Sequence, residues 1–261
     1  MEHDDLVRMV NQICDFFDAY PEDEAVAGVK EHLQKFWNAS MRVQLLGARS
    51  QLAPRLKPLA RRALEQLGLI LCGGAGSRFG SRDKPLEDLG GSPLVAHVRQ
   101  RLLPQVCRIV ISCNRNHETY RRWGDTTVSD EWPDQGPLAG ILAGLDVVDT
   151  ACVFACPGDA PFLSTTLVER LTRGLSREGA AIAIPHDGSQ RQHLFMLLRR
   201  SLAPALRAYL AAGGRSVHAF VDSIQHVEVD CADEPGGFVN VNSPADLLAA
   251  GALQRTTQRT S

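Results

Sequence analysis

Residues 69–85 read Leu-Ile-Leu-Cys-Gly-Gly-Ala-Gly-Ser-Arg-Phe-Gly-Ser-Arg-Asp-Lys-Pro, and this stretch decides how the rest of the chain is read. Leu69, Ile70, Leu71 and Cys72 form a short apolar run of the kind that makes a buried strand. Gly73, Gly74, Gly76 and Gly80 follow, interleaved with Arg78, Arg82 and Lys84. Without Cβ atoms the backbone can turn sharply there and bring its N–H groups against a ligand. Such N–H groups, with Arg and Lys alongside, suit a polyphosphate. The pattern is not GxxxxGK[ST], because Lys84 follows Asp83 and precedes Pro85. It is not GxGxxG, because the glycines are spaced differently. A strand-to-helix turn with solvated charges is the competing reading of the same residues.

Outward from this stretch, apolar runs alternate with helical segments. Strands are expected at 67–72, 107–112, 126–129, 151–156 and 180–185. Helices are expected at 93–102 with Ser92 as N-cap, at 138–147 opened by Gly136 and Pro137, and at 163–175. The alternation predicts an α/β fold with a mainly parallel, doubly wound, Rossmann-like sheet. Beyond Pro185 the pattern loosens. Strands are expected at 192–198 and 224–229, a helix at 202–212 stopped by Gly213, and a short β segment at 238–242. A last helix runs from Ser243 and Pro244 to Ala250, followed by a frayed polar tail.

Ligands of such sheets lie beyond the carboxyl ends of the strands. Residues 73–84, residues 114–116, Asp130 and residues 157–159 should therefore converge. Asp159 follows an apolar strand and a Pro-Gly turn, and a lone carboxylate plus substrate phosphates is a common way to hold Mg²⁺. An Asx turn or a helix cap before Pro161 would use the same residue type. Lys84 and Arg78 suit the charge that grows on a transferring phosphoryl group, or are surface charges.

Residues 3–66 carry no strand pattern and no catalytic cluster. Leu6, Met9, Val10, Ile13, Phe16 and Phe17 fall at helical spacing, and Val26, Val29, Leu33, Phe36 and Trp37 make a second face after Pro21. Short helical pieces follow at 41–46 and 56–67. His32 reads as a packing or partner-contact residue. The expected organisation is an all-α interaction or oligomerisation module at 1–66 and an α/β domain at 67–261.

Bulk properties exclude several classes. The chain has 261 residues, 44% hydrophobic, with a net charge of −2. That balance gives no electrostatic footprint for nucleic acid. No apolar run reaches the roughly 18 residues of a membrane span, and the acidic start is no secretory signal. The 7 cysteines lack regular spacing, so a reducing cytoplasm is the expected location. Cys152 and Cys156 have no second Cys/His pair nearby to complete a zinc site.

These residues carry a resemblance. Residues 67–250 resemble the molybdenum cofactor guanylyltransferases, nucleotidyltransferases of glycosyltransferase-A-like fold. The matching residues are Leu71 to Gly74, Arg78 to Gly80 and Asp83-Lys84, then Ser112 to Asn116, Gly136 to Gly140, Cys156 to Phe162, and Asn240 to Pro244. The resemblance implies Mg²⁺, GTP and molybdenum-molybdopterin. It implies that Leu71, Cys72, Gly73, Gly74, Gly76 and Lys84 bind GTP, with Arg78 and Lys84 on the phosphates. Asn114, Asp130, Gly136 and Pro137 complete the nucleotide site, with Asn114 and Asp130 on the guanosine side. Asp159 binds the metal, and Asn240 and Asn242 lie towards the molybdopterin. Arg78, Lys84 and Asp159 are the implied catalytic set. The family commonly has Ala where Cys72 stands, Met where Phe79 stands, Cys where Gly158 stands and a small residue where Pro85 stands.

Residues 3–45 resemble the delta subunit of NAD-dependent formate dehydrogenases. Asn11 to Ile13, Phe16-Phe17, His32, Phe36-Trp37 and Met41-Arg42 carry this match, while Asn38, Ala39 and Ser40 replace the family's Asp-Pro-Arg. The combination implies GMP transfer from GTP to molybdenum-molybdopterin, with pyrophosphate released. The product is the guanine dinucleotide (bis-MGD) cofactor, and residues 1–66 would meet the formate dehydrogenase catalytic subunit. The alternatives are a non-catalytic cofactor carrier for that dehydrogenase, or a cytidylyltransferase relative.

Overall fold

Residues 67–71 carry no polar side chain, so a strand there must be covered on both faces. The computed structural model describes residues 3–38, 41, 44–45, 52–64, 66–73, 83–103, 105–106, 108–131, 135–148 and 150–259, and it places this segment inside a seven-stranded sheet. β1 (Leu67–Leu71) is followed by a small antiparallel pair, β2 (Asp88–Leu89) and β3 (Ser92–Pro93). Then come β4 (Arg108–Ser112), β5 (Thr126–Val128), β6 (Cys152–Pro157), β7 (Ile182–His186), β8 (Met196–Arg199) and β9 (His226–Asp230). The sheet order is β5-β4-β1-β6-β8-β7-β9. β1, β4, β5 and β6 are mutually parallel, as are β7 and β9, and β8 alone runs against both its neighbours. The mainly parallel, doubly wound fold is thus present.

β8 is reversed because a tight hairpin joins it to β7. Asp187 accepts hydrogen bonds from the backbone N–H groups of Ser189 and Gln190, both at 2.8 Å. A chain turned back within so few residues can only pair antiparallel. The apolar side chains of β1 then divide by the period of two. Leu67 and Leu69 pack with the helices Pro137–Asp146, Ala203–Ala211 and Val217–Asp222. Ile70 packs on the opposite face with Leu94–Leu102 and Leu167–Arg177. The Pro137–Asp146 helix comes close because of two glycines. A Cβ on Gly140 would stand 2.6 Å from Ser112 Oγ, and one on Gly144 would stand 2.5 Å from Leu69 Cδ2.

Several local expectations change, and the 163–175 helix and 192–198 strand start only at Leu167 and Met196. Ser92 is not a helix cap: it pairs with Leu89 in β3, and the helix begins at Leu94. The Val217–Asp222 helix, absent from the sequence reading, is capped by Ser216, whose Oγ accepts from Ala219 N at 3.2 Å. Residues 238–242 form no strand. Val241 N bonds to Asp159 O (2.9 Å) and Asn242 N to Asp246 Oδ2 (2.8 Å), so a strand end and a side chain take the donors a ladder would need. The last helix runs on to Arg259, past the expected fraying point.

The N-terminal helices His3–Phe17, Glu22–Phe36 and Pro58–Ala63 share a core that includes Leu6, Val10, Val29, Leu33, Trp37 and Ala60. Phe16 and Phe36, expected on the buried faces, are exposed (68% and 66%). Asn11 pins the first helix to the segment before the third: its amide donates to Arg55 O and accepts from Lys57 N, both at 2.9 Å. Among the described residues no helix is long and apolar enough to cross a membrane.

Candidate active site

Strand order reverses at β1. β4 and β5 lie to one side of it and β6 to the other, so the crevice beyond β1 and β6 is the switch point where such sheets take ligands. The strand ends are level. Gly158 N donates to Leu71 O (2.9 Å), Cys72 N to Ser112 O (2.8 Å) and Cys113 N to Val128 O (2.9 Å). This register brings Leu71, Cys72, Gly73, Asn114, Asp130 and Asp159 to one edge. Gly74, Gly76 and Arg78, expected on the phosphate side, lie outside the described residues, as do Gly80 and Arg82.

At the centre of that edge Lys84 Nζ forms an ion pair with Asp159 Oδ2 and donates to Asn242 Oδ1 at 2.8 Å. Three positions distant in sequence therefore meet at one point. Asp159 is 7% exposed. Its carbonyl accepts from Val241 N, which holds the segment of Asn240 and Asn242 against the end of β6. Asn242 is itself fixed by the start of the last helix, Pro244–Arg259. Its N–H bonds to the Asp246 carboxylate, while Asp246 N bonds to Ser243 Oγ (3.2 Å). The bond from Asn242 N, then that from Ser243, hold the Asp246 carboxyl below its ordinary value. Asn240 Oδ1 is buried and has no hydrogen-bond partner.

A second cluster forms on the β4–β5 side. Asn114 Nδ2 donates to Asp130 Oδ2 (2.8 Å), and Asp130 N donates to Asn114 Oδ1 (3.2 Å). Asp130 Oδ1 and Gln135 Oε1 are both buried without a partner. Unpaired buried acceptors are costly, so these two oxygens suit the N–H groups of a ligand. Gly136, which follows Gln135, has φ +81°, and Pro137 opens the next helix at its first turn. Only glycine adopts that backbone readily.

Beside the Lys84–Asp159 pair lies a packed floor. A Cβ on Gly158 would fall 2.6 Å from Cys72 Sγ and 3.2 Å from both Leu71 O and Pro85 Cβ. The departures from the family pattern at positions 72, 85 and 158 therefore meet in one place, with the Cys72 sulfur filling the space beside Gly158. Burial, then the charge of Asp83, pushes the Cys72 thiol well above its ordinary value, so it is a neutral packing group. Asp83, not singled out as a site residue from sequence, is held from two sides. Tyr120 OH donates to Asp83 Oδ1 (2.8 Å) and Asn116 Nδ2 to Asp83 Oδ2 (2.9 Å). Tyr120 gave no sequence signal, because a single tyrosine in a short helix (His117–Tyr120) is indistinguishable from core.

The donor set fits a hard cation. Asp159 supplies an anionic oxygen, and Asn240 and Asn242 bring amide oxygens to the same strand end. Magnesium is typically held by one or two carboxylates plus substrate phosphates. Among the described residues no three His, Cys, Asp or Glu side chains are grouped so as to hold a metal ion by themselves.

Residues 68–229 match the family model of the MobA-like NTP transferase domain. Residues 5–64 match that of the NADH-dependant formate dehydrogenase delta subunit FdsD. A molybdenum cofactor guanylyltransferase of Cupriavidus taiwanensis is 43% identical over 188 residues, covering 70% of this chain and 94% of that protein. One of Vibrio cholerae is 40% identical over 186 residues, covering 71% and 91%. Among solved structures, the molybdopterin-guanine dinucleotide biosynthesis protein A of Archaeoglobus fulgidus superposes with a TM-score of 0.62 at 22% identity, covering 73% of this chain and 99% of that one. A nucleotidyl transferase of Methanothermobacter thermautotroptrophicus gives 0.59 at 18% identity, covering 76% and 99%. At these identities the superpositions speak for the fold alone.

Proposed function

The chain belongs to the MobA-like NTP transferase family, as a nucleotidyltransferase of the molybdenum cofactor guanylyltransferase kind, and from that premise we propose that it transfers GMP from GTP to molybdenum-molybdopterin. An oxygen of the terminal phosphate of molybdopterin attacks the α-phosphorus of GTP. The bond from that phosphorus to the β-phosphate bridging oxygen breaks, and pyrophosphate leaves with the electron pair. The product is the guanine dinucleotide form of the cofactor. The observation that carries this reading is the meeting of Lys84, Asp159 and Asn242 at the switch point of the sheet.

In this reading Lys84 faces the phosphates, where a fixed cation stabilises charge that grows in the transition state. Arg78 and the N–H groups of residues 73–76 are assigned to the same phosphates. Asp159 holds Mg²⁺, with Asn240 and Asn242 as neighbouring oxygen donors; the ion would neutralise phosphate charge. Asp130 and Gln135 supply acceptors that match the ring N–H and amino groups of guanine, with Asn114 holding the Asp130 carboxylate in place. Most of the catalysis is positioning and preorganised charge.

Residues 1–66 form an interaction module in this proposal and residues 67–261 the transferase domain. The match at residues 5–64 supports delivery of the finished cofactor to a formate dehydrogenase. The test is a transfer assay with Mg²⁺, molybdenum-molybdopterin and either GTP or CTP. Guanine dinucleotide from GTP is expected. No product, with an established guanylyltransferase working in parallel, would overturn the reading, and product from CTP alone would favour the cytidylyl alternative. Capture of the dehydrogenase should be lost when residues 1–66 are deleted; undiminished capture rejects the delivery role.

A further inference from the structure

Lys84 acts at the end of a long, flexible side chain, yet its backbone is held on both sides. Pro85 on one side is buried against Gly158, and its ring fixes φ. Asp83 on the other side is clamped by two groups from the segment after β4. Tyr120 is 0% exposed and spends its hydroxyl on Asp83 Oδ1 at 2.8 Å. Asn116 donates to Asp83 Oδ2 at 2.9 Å from a left-handed backbone, φ 56° and ψ 30°, an uncommon conformation outside glycine that Asn tolerates better than most. The turn itself is closed by Leu86 N to Asp83 O (2.8 Å) and Glu87 N to Lys84 O (3.0 Å). Both carboxylate oxygens of Asp83 are thus engaged by protein groups.

We propose that Asp83 is a positioning residue: clamped by Tyr120 and Asn116, it fixes the backbone from which Lys84 extends and so sets where that ammonium is delivered. The inference rests on the transferase reading of the same site. The clamp also ties the two halves of the site together. Asn114, which pairs with Asp130 on the base side, stands two residues before Asn116, so one short segment carries both contacts. Placement of the phosphate cation is therefore registered against the segment that faces the base.

The test uses full-length protein with Asn116→Gly and Tyr120→Phe, each alone and in a Lys84→Ala background. Asn116→Gly keeps the left-handed backbone and removes only the amide. Tyr120→Phe keeps the ring and removes only the hydroxyl. Each is expected to lower kcat about tenfold with KM for GTP changed less than about threefold, because a misplaced group loses transition-state contact first. In the Lys84→Ala background the same substitutions should have no further effect, since the group they position is gone. A merely structural role would multiply the losses in both backgrounds, and that result overturns the proposal.

A second readout does not depend on the reaction. Lys30, Lys35, Lys57 and Lys84 are the lysines of the chain, so acylation by a dilute amine reagent can be followed at Lys84 by mass spectrometry against the other three. Both clamp variants should label Lys84 several-fold faster, as its pairing with Asp159 and Asn242 loosens. Unchanged Lys84 labelling in both variants refutes the clamp, whether or not the wild-type protein transfers GMP. Should Tyr120→Phe fail to fold, Asn116→Gly, which alters an exposed loop residue, carries the test alone.

Discussion

Gly158→Ala is the substitution for which the structure sets the clearest magnitude. The new Cβ would stand 2.6 Å from Cys72 Sγ, about an ångström inside van der Waals contact. Neither partner can give way freely: Cys72 is 5% exposed and Gly158 N is hydrogen-bonded to Leu71 O. Overpacking of this kind costs about 1–3 kcal/mol. In a chain of this size each kcal/mol lowers Tm by about 2–4 °C. Cys72→Ala alone should cost about 1 kcal/mol, for one buried heavy atom lost. The double variant removes the sulfur that the new methyl strikes. Only the contacts to Leu71 O and Pro85 Cβ, both 3.2 Å, remain tight. Its cost should fall below the sum of the single variants by about 1–2 kcal/mol. Turnover should follow the same order, because Asp159 is the next residue and any shift of residue 158 moves its carboxylate. Urea and thermal unfolding of the four proteins, with guanylyl transfer measured on each, decide the matter. Wild-type stability in Gly158→Ala, or strictly additive costs, would refute this packing account of why Cys and Gly stand at these two positions.

Three further outcomes are expected. Asp159→Asn should lose about 10²–10³ of kcat while the unfolding midpoint stays near wild type; an active Asp159→Asn protein removes this carboxylate from the mechanism. Asn114→Ala leaves Asp130 without its side-chain partner, so KM for GTP should rise about tenfold, with little effect on kcat; an unchanged KM takes Asn114 out of the nucleotide site. Alkaline pH should destabilise the fold through its buried thiols. Burial pushes Cys14 and Cys231 up to about 11 and Cys113 up to about 12, from an ordinary value of 9.0. Their neutral forms favour the folded state, so this contribution is complete below pH 9 and is lost as pH rises through 11 to 12. Urea titrations between pH 8 and 11 should show a falling midpoint, and a Cys113→Ser variant should show a shallower fall; parallel slopes would contradict that assignment.

Much of the site was legible from local pattern because its parts are strand ends. An apolar run that stops at Cys72, Cys113 or Cys156 marks where the backbone leaves the sheet, and parallel pairing then puts those ends on one edge. The helix start at Gly136 and Pro137 was legible too, since proline fits the first helical turn; the positive φ of Gly136 came only from the structure. Residues 238–242 misled because Val239-Asn240-Val241-Asn242 alternates like a strand. Their donors go instead to Asp159 O and the Asp246 carboxylate, partners distant in sequence or set by the following cap. Phe16 and Phe36 misled because helical spacing gives a stripe but not its width, and both lie at the margin that the neighbouring helix does not cover.

The sequence by itself determined the alternation of strands and helices, the edge at which sheets of this kind take ligands, and the residue types present there. It also determined the kinship with nucleotidyltransferases, which rests on short segments kept in order. Only the tertiary structure decided that Lys84 meets Asp159 and Asn242, that Asp83 is clamped by Tyr120 and Asn116, and that Cys72, Pro85 and Gly158 share one space. Backbone periodicity is a local property, written every two or every 3.6 residues. These contacts join positions up to 158 residues apart, and their geometry depends on strand register and loop closure that no local pattern encodes.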